Sequence, residues 1–497
     1  MTVRNLFTTK QWRELELIAL LTKSQKSLYY KDVCVRLNCS LLTLQSCVDN
    51  SVFMDGIGQM TYEYSHFSIT YKEECGLKEV YQKAMLESQS LQMMSLLFFK
   101  DEMTLTELAN ELFVSLSTLK RLIDKVNIYL KKEFDIKIIT NPVQVVGEEY
   151  QIRLFYIKYF SEAYNMSEWP FGNLVNENNL GRLVSLMISK TDININFSMF
   201  RHIKILGGVN LIRYCKGFVV GESKGLSQIF LDLLMGSREM TNISQLFFHK
   251  YTIPLNETAL SEVFSDYMSD ELFLGGSFPT LTNKMNYLDN PRELTTWIRF
   301  LDKLEDDMKV MQPNKYEMAR ALHTTVILDE EDINRNFLIY NDIECYLAFF
   351  KKNYKFVYKK VMKSIKHVFR FVPKALSQSL LSNLIYTLLI TWEDLFLNIG
   401  KTLSKIRLLV IEKSQGSVGS FLKEYIGDYF DITIYKKLTF EPRDLEADFD
   451  IIVTDTVIMD SHEIKADIFY FSQLVPSKVA VRLNDYLRIR MGQLMLR

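Results

Sequence analysis

A twelve-residue pattern that occurs twice near the N-terminus constrains the fold of this chain more than any other feature. Residues 33–44 align without gaps on residues 108–119, an offset of 75 positions, and their apolar positions coincide. A repeat with this spacing fits one small helical module, so we expect two related modules to begin the chain. The other matched pairs are Cys34 and Ala109, Ser40 and Ser115, and Thr43 and Thr118.

The second copy predicts a helix-turn-helix. Thr104 and Glu107 have the spacing of a capping box at the start of its first helix. The small Ala109 leaves room for a second helix to cross closely. Residues 113–114 then supply the turn, and Ser115 is suited to cap the next helix.

Positive charge concentrates on the second helix of this copy. Residues 116–132 carry five bases and one acid, whereas residues 1–160 carry 19 of each. Ser, Thr, Lys and Arg suit both phosphate and base-edge contacts, so this helix is predicted to read DNA. Residues 137–147 predict the hairpin, or wing, that would touch the DNA backbone. The predicted DNA-binding residues of this module are Ser117, Thr118, Lys120, Arg121 and Lys125.

The first copy predicts a weaker DNA reader. Its recognition helix, residues 41–50, contains no Lys or Arg and offers only Thr43, Gln45, Ser46 and Asn50 as DNA contacts. Four bases that precede this helix could touch phosphates: Lys23, Lys26, Lys31 and Arg36. Residues 54–71 are strand-like and would supply its wing. Two readings remain open for this copy, a module that positions the protein on DNA and a module used for packing.

The pattern of residue types changes twice in the remainder of the chain. Residues 160–400 are helix-like and rich in aromatic residues, and the last hundred alternate between strand and helix patterns. That alternation predicts a small α/β domain on a parallel sheet. The basic and aromatic stretch 349–374 has three open interpretations: a site for nucleic acid or anionic lipid, a packed face with solvated lysines, or a face for an acidic or phosphorylated partner.

Composition excludes several classes of protein. Sixty acids against 59 bases give a formal net charge of −1, so the chain as a whole has no positive charge excess to attract nucleic acid or membrane. The six cysteines show neither a CxxC pair nor Cys/His spacing for a metal. The N-terminus lacks a signal-peptide pattern, and the most apolar later stretch, residues 380–392, is shorter than a membrane span. We expect a cytoplasmic protein with no metal, no cofactor, no membrane partner and no catalytic motif.

Two N-terminal helix-turn-helix units, a helical middle and an α/β terminus together resemble the Mga/AtxA family of transcriptional regulators in Gram-positive bacteria. The most specific part is residues 105–123. The resemblance implies a mainly α multidomain fold with winged helix-turn-helix domains, helical phosphotransferase-regulation domains and an enzyme-IIB-like α/β domain. The implied boundaries are 1–75 for an N-terminal segment and the first winged domain, 76–165 for the second, 166–288 and 289–401 for the two regulation domains, and 402–497 for the α/β domain.

The resemblance also implies histidines that sugar-phosphotransferase proteins phosphorylate. Of the six histidines, His202 and His323 match such sites best, and His249 and His367 match more weakly. Arg320 lies one helical turn before His323, where it could respond to an added phosphate. No Cys follows the first strand of the α/β domain, so phosphoryl transfer through that domain is not expected.

We therefore predict a homodimeric DNA-binding transcriptional regulator, of the global or virulence-type activator class, whose activity is modulated by histidine phosphorylation. Its expected partners are double-stranded promoter DNA, phosphotransferase-system phosphocarrier proteins and a second copy bound through the C-terminal domain, with RNA polymerase an open candidate. One alternative is an RNA-binding antiterminator of sugar operons, but recognition helices do not suit the narrow groove of A-form RNA. The other is a phosphotransferase-system component, which the missing Cys disfavours.

Overall fold

The computed structural model divides into two units, one of Met1–Pro279 with Arg335–Asn341 and one of Thr280–Asn334 with Asp342–Arg497. The residues described are 3–24, 26–100, 103–190, 197–220, 228–264, 293–330, 337–371, 376–395, 398, 405–413, 417–427, 429–435, 449–456, 466–471 and 474–494.

The described part of the chain is mainly helical, which confirms the prediction of a mainly α fold. Its helices are α1 Thr9–Ser24, α2 Tyr30–Leu37, α3 Leu41–Asp49, α4 Leu77–Glu87, α5 Gln89–Phe99, α6 Leu105–Glu111, α7 Leu116–Phe134, α8 Glu149–Ala163, α9 Glu177–Ser189, α10 Phe197–Cys215, α11 Gln228–Met235, α12 Arg238–Tyr251, α13 Glu257–Phe264, α14 Leu294–Met308, α15 Lys315–Glu330, α16 Asp342–Asn353, α17 Lys355–Val368, α18 Gln378–Thr391, α19 Ser417–Ile426 and α20 Pro476–Leu494. Short 3-10 helices lie at Val3–Leu6 and Phe369–Phe371. The strands are β1 Leu28–Tyr29, β2 Gly58–Glu63, β3 His66–Tyr71, β4 Lys137–Thr140, β5 Val143–Val146, β6 Ile406–Ile411, β7 Phe430–Ile434, β8 Ile451–Thr454 and β9 Asp467–Tyr470.

The first N-terminal module is three helices and a small antiparallel sheet. The sheet order is β1–β3–β2, and the last two strands pair along their whole length, with Glu63 opposite His66 at the turn. Tyr64 and Ser65 make that turn with positive φ, the backbone sense that matches the twist of a tight hairpin. Residues 58–71 of the strand-like stretch 54–71 therefore form the wing that the sequence predicts, and residues 54–57 are a turn before it.

The second module repeats this plan with a shorter wing. β4 and β5 pair antiparallel from Lys137 opposite Val146 to Thr140 opposite Val143, as the sequence predicts. The inner face of α7 buries Leu119, Ile123 and Val126. α8 follows the wing at once and is buried on nearly all sides, because it packs on both α4 and α10. It thereby connects the second module to the next helical domain.

That next domain, α9 to α13, is built around α10. Gly207 and Gly208 lie in the middle of this helix, where aromatic rings approach its backbone. A Cβ on Gly208 would lie 2.3 Å from the ring of Phe171, and one on Gly207 would lie 3.0 Å from the ring of Phe264. The two glycines therefore permit close packing that any larger residue would displace.

The second unit contains a helical bundle and an α/β region. The bundle, α14 to α18, has a core around Trp297, Leu322, Val361 and Leu384. Farther along the chain, the parallel strands lie in the order β7–β6–β8–β9. α19 and α20 pack together over one face of this sheet, since both share a buried core with β6 and β8.

Candidate nucleic-acid interface

The helix-turn-helix of the second module is fixed by local hydrogen bonds. The backbone N–H of Glu107 donates to Thr104 Oγ1 at 3.2 Å, and the Glu107 carboxylate accepts from the backbone N–H of Thr104 at 2.8 Å. Phe113 takes a left-handed conformation with φ 53°, which ends α6 and redirects the chain. Ser115 then caps α7, with its Oγ 3.1 Å from the backbone N–H of Thr118. These contacts set where the recognition helix starts.

The exposed face of α7 begins with a small polar and basic cluster. Ser117, Lys120 and Arg121 are exposed, and Thr118 is half-buried. The Thr118 hydroxyl lies 2.9 Å from that of Ser115, and the Arg121 guanidinium approaches it at 3.5 Å. Four of the predicted DNA-binding residues therefore share the first two turns of the helix, the part that such helices place in the major groove.

Lys125 is placed differently from the other predicted contacts. Its ammonium donates a hydrogen bond to the backbone carbonyl of Phe7, and the side chain is half-buried. Burial, followed by the charge of Arg4, lowers the pKa of Lys125 below its usual range. The side chain fastens the residue that directly follows the N-terminal 3-10 helix to the recognition helix, a role that its spacing along α7 does not reveal.

The first module has the same turn geometry. Asn38 is left-handed with φ 47° at the position equivalent to Phe113, and Ser40 Oγ accepts from the backbone N–H of Thr43 at 3.3 Å. On its recognition helix Ser46 is exposed, while Thr43 and Gln45 are half-buried.

A cleft of about 510 Å³ opens between α3 and the start of α1. Lys10 and Arg13 line it opposite Thr43 and Ser46. The bases that are missing from the first recognition helix are thus provided by another helix. Sequence reasoning missed them because they lie about 30 residues before α3, and the only local signal is their spacing of three on α1.

A buried ionic network joins the second module to the following helical domain. Glu149, at the start of α8 and directly after the wing, accepts from Arg153 at 3.0 Å and from Arg213 of α10 at 2.9 and 2.5 Å. Arg153 also donates to the Glu262 carboxylate of α13 at 3.1 Å and to the backbone carbonyl of Phe218 at 2.9 Å. Three helices of the first unit are therefore held together at the base of the wing.

The four histidines named as phosphorylation candidates differ in accessibility. His323 is 8% exposed, and His202 is partly enclosed with its Nδ1 3.4 Å from Ser161 Oγ. Burial, and then the charge of Lys158, lowers the pKa of His202 to about 4, so its ring is neutral near pH 7. His249 and His367 are exposed.

An arginine lies near each of the two enclosed histidines, Arg201 next to His202 and Arg320 one turn before His323. The Arg201 guanidinium donates to the backbone carbonyls of Met166, Glu168 and Tyr164 at 2.9–3.3 Å. Arg320 is half-buried on α15.

Within the described ranges, no group of three or more His, Cys, Asp or Glu side chains is arranged to hold a metal ion. None of the helices described above combines the length and the apolar character needed to cross a bilayer.

Three family models match this chain in the order of its structural modules. They are the M protein trans-acting positive regulator (MGA) HTH domain at residues 8–65, the Mga helix-turn-helix domain at 73–160, and the M protein trans-acting positive regulator (MGA) PRD domain at 176–395. Together with the paired helix-turn-helix modules, they define a transcriptional regulator. The chain belongs to the Mga family.

Curated relatives agree with that assignment. A protein of Streptococcus pneumoniae serotype 4, provisionally named a trans-acting regulator, is 24% identical over 92% of this chain and 93% of its own length. The capsule synthesis positive regulator AcpA of Bacillus anthracis is 24% identical over 32% of this chain and 33% of its own. AcpB of the same organism, also named a capsule synthesis positive regulator, is 26% identical over 27% of each chain.

Proposed function

We propose that this regulator binds double-stranded promoter DNA through both winged helix-turn-helix modules and activates virulence-type genes. One observation carries the proposal: both modules present a capped recognition helix beside accessible bases. These are the exposed Lys120 and Arg121 in one module, and the exposed Lys10 with the half-buried Arg13 in the other. Two readers on one chain suit a long or bent DNA site. The names of the AcpA and AcpB relatives support the activator class.

Footprinting of the full-length protein on sheared genomic DNA tests this function. We expect protected duplex segments. An unlabelled duplex of the same sequence should compete for the protein and abolish this protection, whereas a structured RNA should not, because the major groove of A-form RNA is too narrow for a recognition helix. Displacement by RNA hairpins alone would instead favour an antiterminator.

We further propose that histidine phosphorylation by phosphotransferase-system phosphocarrier proteins modulates the regulator. All four candidates, His202, His323, His249 and His367, stay in this proposal, but accessibility favours the last two as direct acceptors. A carrier protein must bring its phosphohistidine next to the acceptor ring, so an enclosed ring requires the surrounding helices to open first. Neutral imidazole is a competent acceptor near pH 7.

Radiolabelled transfer from a phosphorylated carrier to single His→Ala variants separates these sites. We expect the largest loss of label from variants at His249 or His367. Full loss at His202 or His323, with no change at the exposed pair, would show that the domain opens for the carrier. No label on any variant or on the unmodified protein would contradict this part of the proposal.

The third part of the proposal is a homodimer formed through the C-terminal domain, which we take to be enzyme-IIB-like. Phe421 and Tyr425 of α19 stack with their ring centroids 5.4 Å apart, yet 38% and 65% of these residues are exposed. Paired exposed aromatics are typical of an interface.

Phe421→Ser with Tyr425→Ser should shift sedimentation towards the monomer, as should deletion of the residues after 400. Lys423→Ser on the same helix, also exposed, is the control. An unchanged sedimentation profile for the aromatic variant would remove this face from the interface.

A further inference from the structure

The second unit contains a cavity with a strongly basic lining. It has a volume of about 530 Å³ and lies between α14 and α17. The two helices contribute Arg299 and Lys303 from one side and Lys360, Lys363, Lys366 and His367 from the other. A single acid, Asp307, lines it as well and pairs with Lys360 at 3.4 Å.

Ordinary helix electrostatics accounts for only part of this charge. Bases near the end of α17 complement the negative end of its dipole, but that effect is confined to the last turn, which contains Lys366 and His367. It gives no reason for Arg299 and Lys303 to face the same space from α14. Like charges that converge on one concave site repel each other, and an anion bound between them relieves that repulsion. The chain as a whole has a formal charge of −1, so the cluster is a local feature.

The shape of the cavity selects among anions. Phe300, Leu304 and Val368 line it beneath the charged groups, and they are 7%, 1% and 5% exposed. The bases converge from two helices on one cavity. A nucleic-acid backbone would instead need bases that follow a line along the surface. A volume of this size, an apolar floor and several convergent polar groups are typical of small-molecule sites.

We propose that this cavity, which we call the cationic pocket, binds a small phosphorylated metabolite. The phosphate lies among Arg299, Lys303 and Lys363, where several charge-assisted hydrogen bonds are available to its oxygens. The carbon skeleton lies on Phe300 and Leu304. Such a ligand bridges α14 and α17 and stabilises the folded bundle by an amount that grows with the logarithm of ligand concentration above its Kd. Residues 360–370 of the basic stretch thus combine with α14 to form a site that neither segment provides alone.

Calorimetric titration of the full-length protein tests the cationic pocket. The probes are inorganic pyrophosphate, glucose 6-phosphate and unphosphorylated glucose, in phosphate-free buffer without any phosphodonor protein. We expect saturable binding of one phosphorylated probe per chain and none of glucose. Lys303→Gln with Lys363→Gln should weaken that binding at least tenfold. Lys351→Gln with Lys352→Gln, which removes two exposed bases of α16 outside the pocket, should leave it unchanged.

The opposite outcomes are equally specific. Glucose 6-phosphate binding that is weakened equally by both double variants would reduce the pocket to general electrostatic attraction. If neither pyrophosphate nor glucose 6-phosphate binds the unmodified protein, the proposal is overturned, and phosphate that His367 acquires from a phosphorylated carrier would then make the pocket a modification site only. Displacement of bound glucose 6-phosphate by duplex DNA would assign the surface to nucleic acid. A melting profile for each variant establishes that the bundle is folded, and a phosphorylated probe should raise the transition of the unmodified protein but not that of the pocket variant.

Discussion

The ammonium of Lys125 donates a hydrogen bond to the backbone carbonyl of Phe7, 118 positions earlier in the chain. This bond attaches the start of the protein to the recognition helix of the second module. It also turns one of the bases of α7 away from the face on which Lys120 and Arg121 are exposed. The basic residues of this helix therefore divide into two groups with different expected effects.

Replacing Lys120 and Arg121 together by Ala should weaken duplex binding and reduce the slope of log affinity against log salt by about two, one for each lost phosphate contact. Lys125→Ala should leave that slope unchanged and should instead lower the free energy of unfolding by roughly 1.5–3 kcal/mol, the range for a hydrogen bond that involves a charged group. Filter binding between 50 and 200 mM salt, together with urea denaturation, measures both effects. Equal salt slopes for all variants would remove α7 from the DNA interface.

The cleft of the first module leads to a second prediction. Lys10→Ala with Arg13→Ala should reduce DNA affinity and the salt slope, because these are the bases that line the cleft beside Thr43 and Ser46. Lys78→Ala provides the control, since Lys78 is exposed on α4 and does not line the cleft. The footprint should also shorten at one end. If the affinity and the footprint of the cleft variant match those of the control, the first module is a packing module.

The third prediction concerns the ionic network below the wing. Arg153 is 1% exposed and contacts both Glu149 and Glu262, so Arg153→Met leaves two enclosed carboxylates without this partner. Breaking a buried ion pair in this way destabilises a protein by about 3–5 kcal/mol. Urea denaturation followed by circular dichroism should show this loss in the first unit. Arg182→Met, at an exposed position of α9, should change the stability by less than about 0.5 kcal/mol.

Local chemistry explains why the sequence predicts the helix-turn-helix modules so well. The cap at Ser115 and the turn at Phe113 depend on residues within a few positions of each other, and Ser40 and Asn38 repeat them 75 positions earlier. Caps, turns and apolar spacing are read directly from such short segments. The two wings follow from the same kind of local pattern.

Contacts between distant segments explain what the sequence does not predict. Arg153 is 109 residues from Glu262, and Lys10 and Arg13 precede their cleft partners by about 30. Residues 335–341 belong to the first unit although the chain on either side belongs to the second. Charge spacing along one helix cannot show whether a base faces DNA, as Lys120 is proposed to do, or a backbone carbonyl, as Lys125 does.

Residues 338–340 are attached to the rest of the first unit through a half-buried carboxylate. Glu162 of α8 accepts hydrogen bonds from the backbone N–H groups of Leu338, Ile339 at 3.1 Å and Tyr340 at 3.3 Å. Burial raises the pKa of Glu162 from 4.5 to about 7, although those hydrogen bonds and Lys158 oppose the rise. Burial lowers the pKa of His202 from 6.5 to about 4, and Lys158 adds to that effect.

These two groups should give stability profiles of opposite sign. Between pH 4.5 and 7 the folded protein holds a proton on Glu162 that the unfolded chain releases, so this group makes stability fall as pH rises. Between pH 4 and 6.5 the unfolded chain protonates His202 and the folded protein does not, so this group makes stability rise with pH. The two contributions offset each other where the windows overlap.

Replacing either side chain should therefore reveal the pH dependence that the other contributes to the free energy of unfolding. Relative to the unmodified protein, Glu162→Gln should show a free energy of unfolding that increases by about 1.4 kcal/mol per pH unit from pH 4.5 to 6.5, because a protonated Glu162 is no longer favoured in the folded state. His202→Gln should show a decrease of about the same size over the same range. Urea denaturation at half-unit steps of pH measures both, and subtracting the unmodified profile cancels the other titrating groups. Profiles parallel to that of the unmodified protein would mean that neither side chain changes its proton affinity on folding.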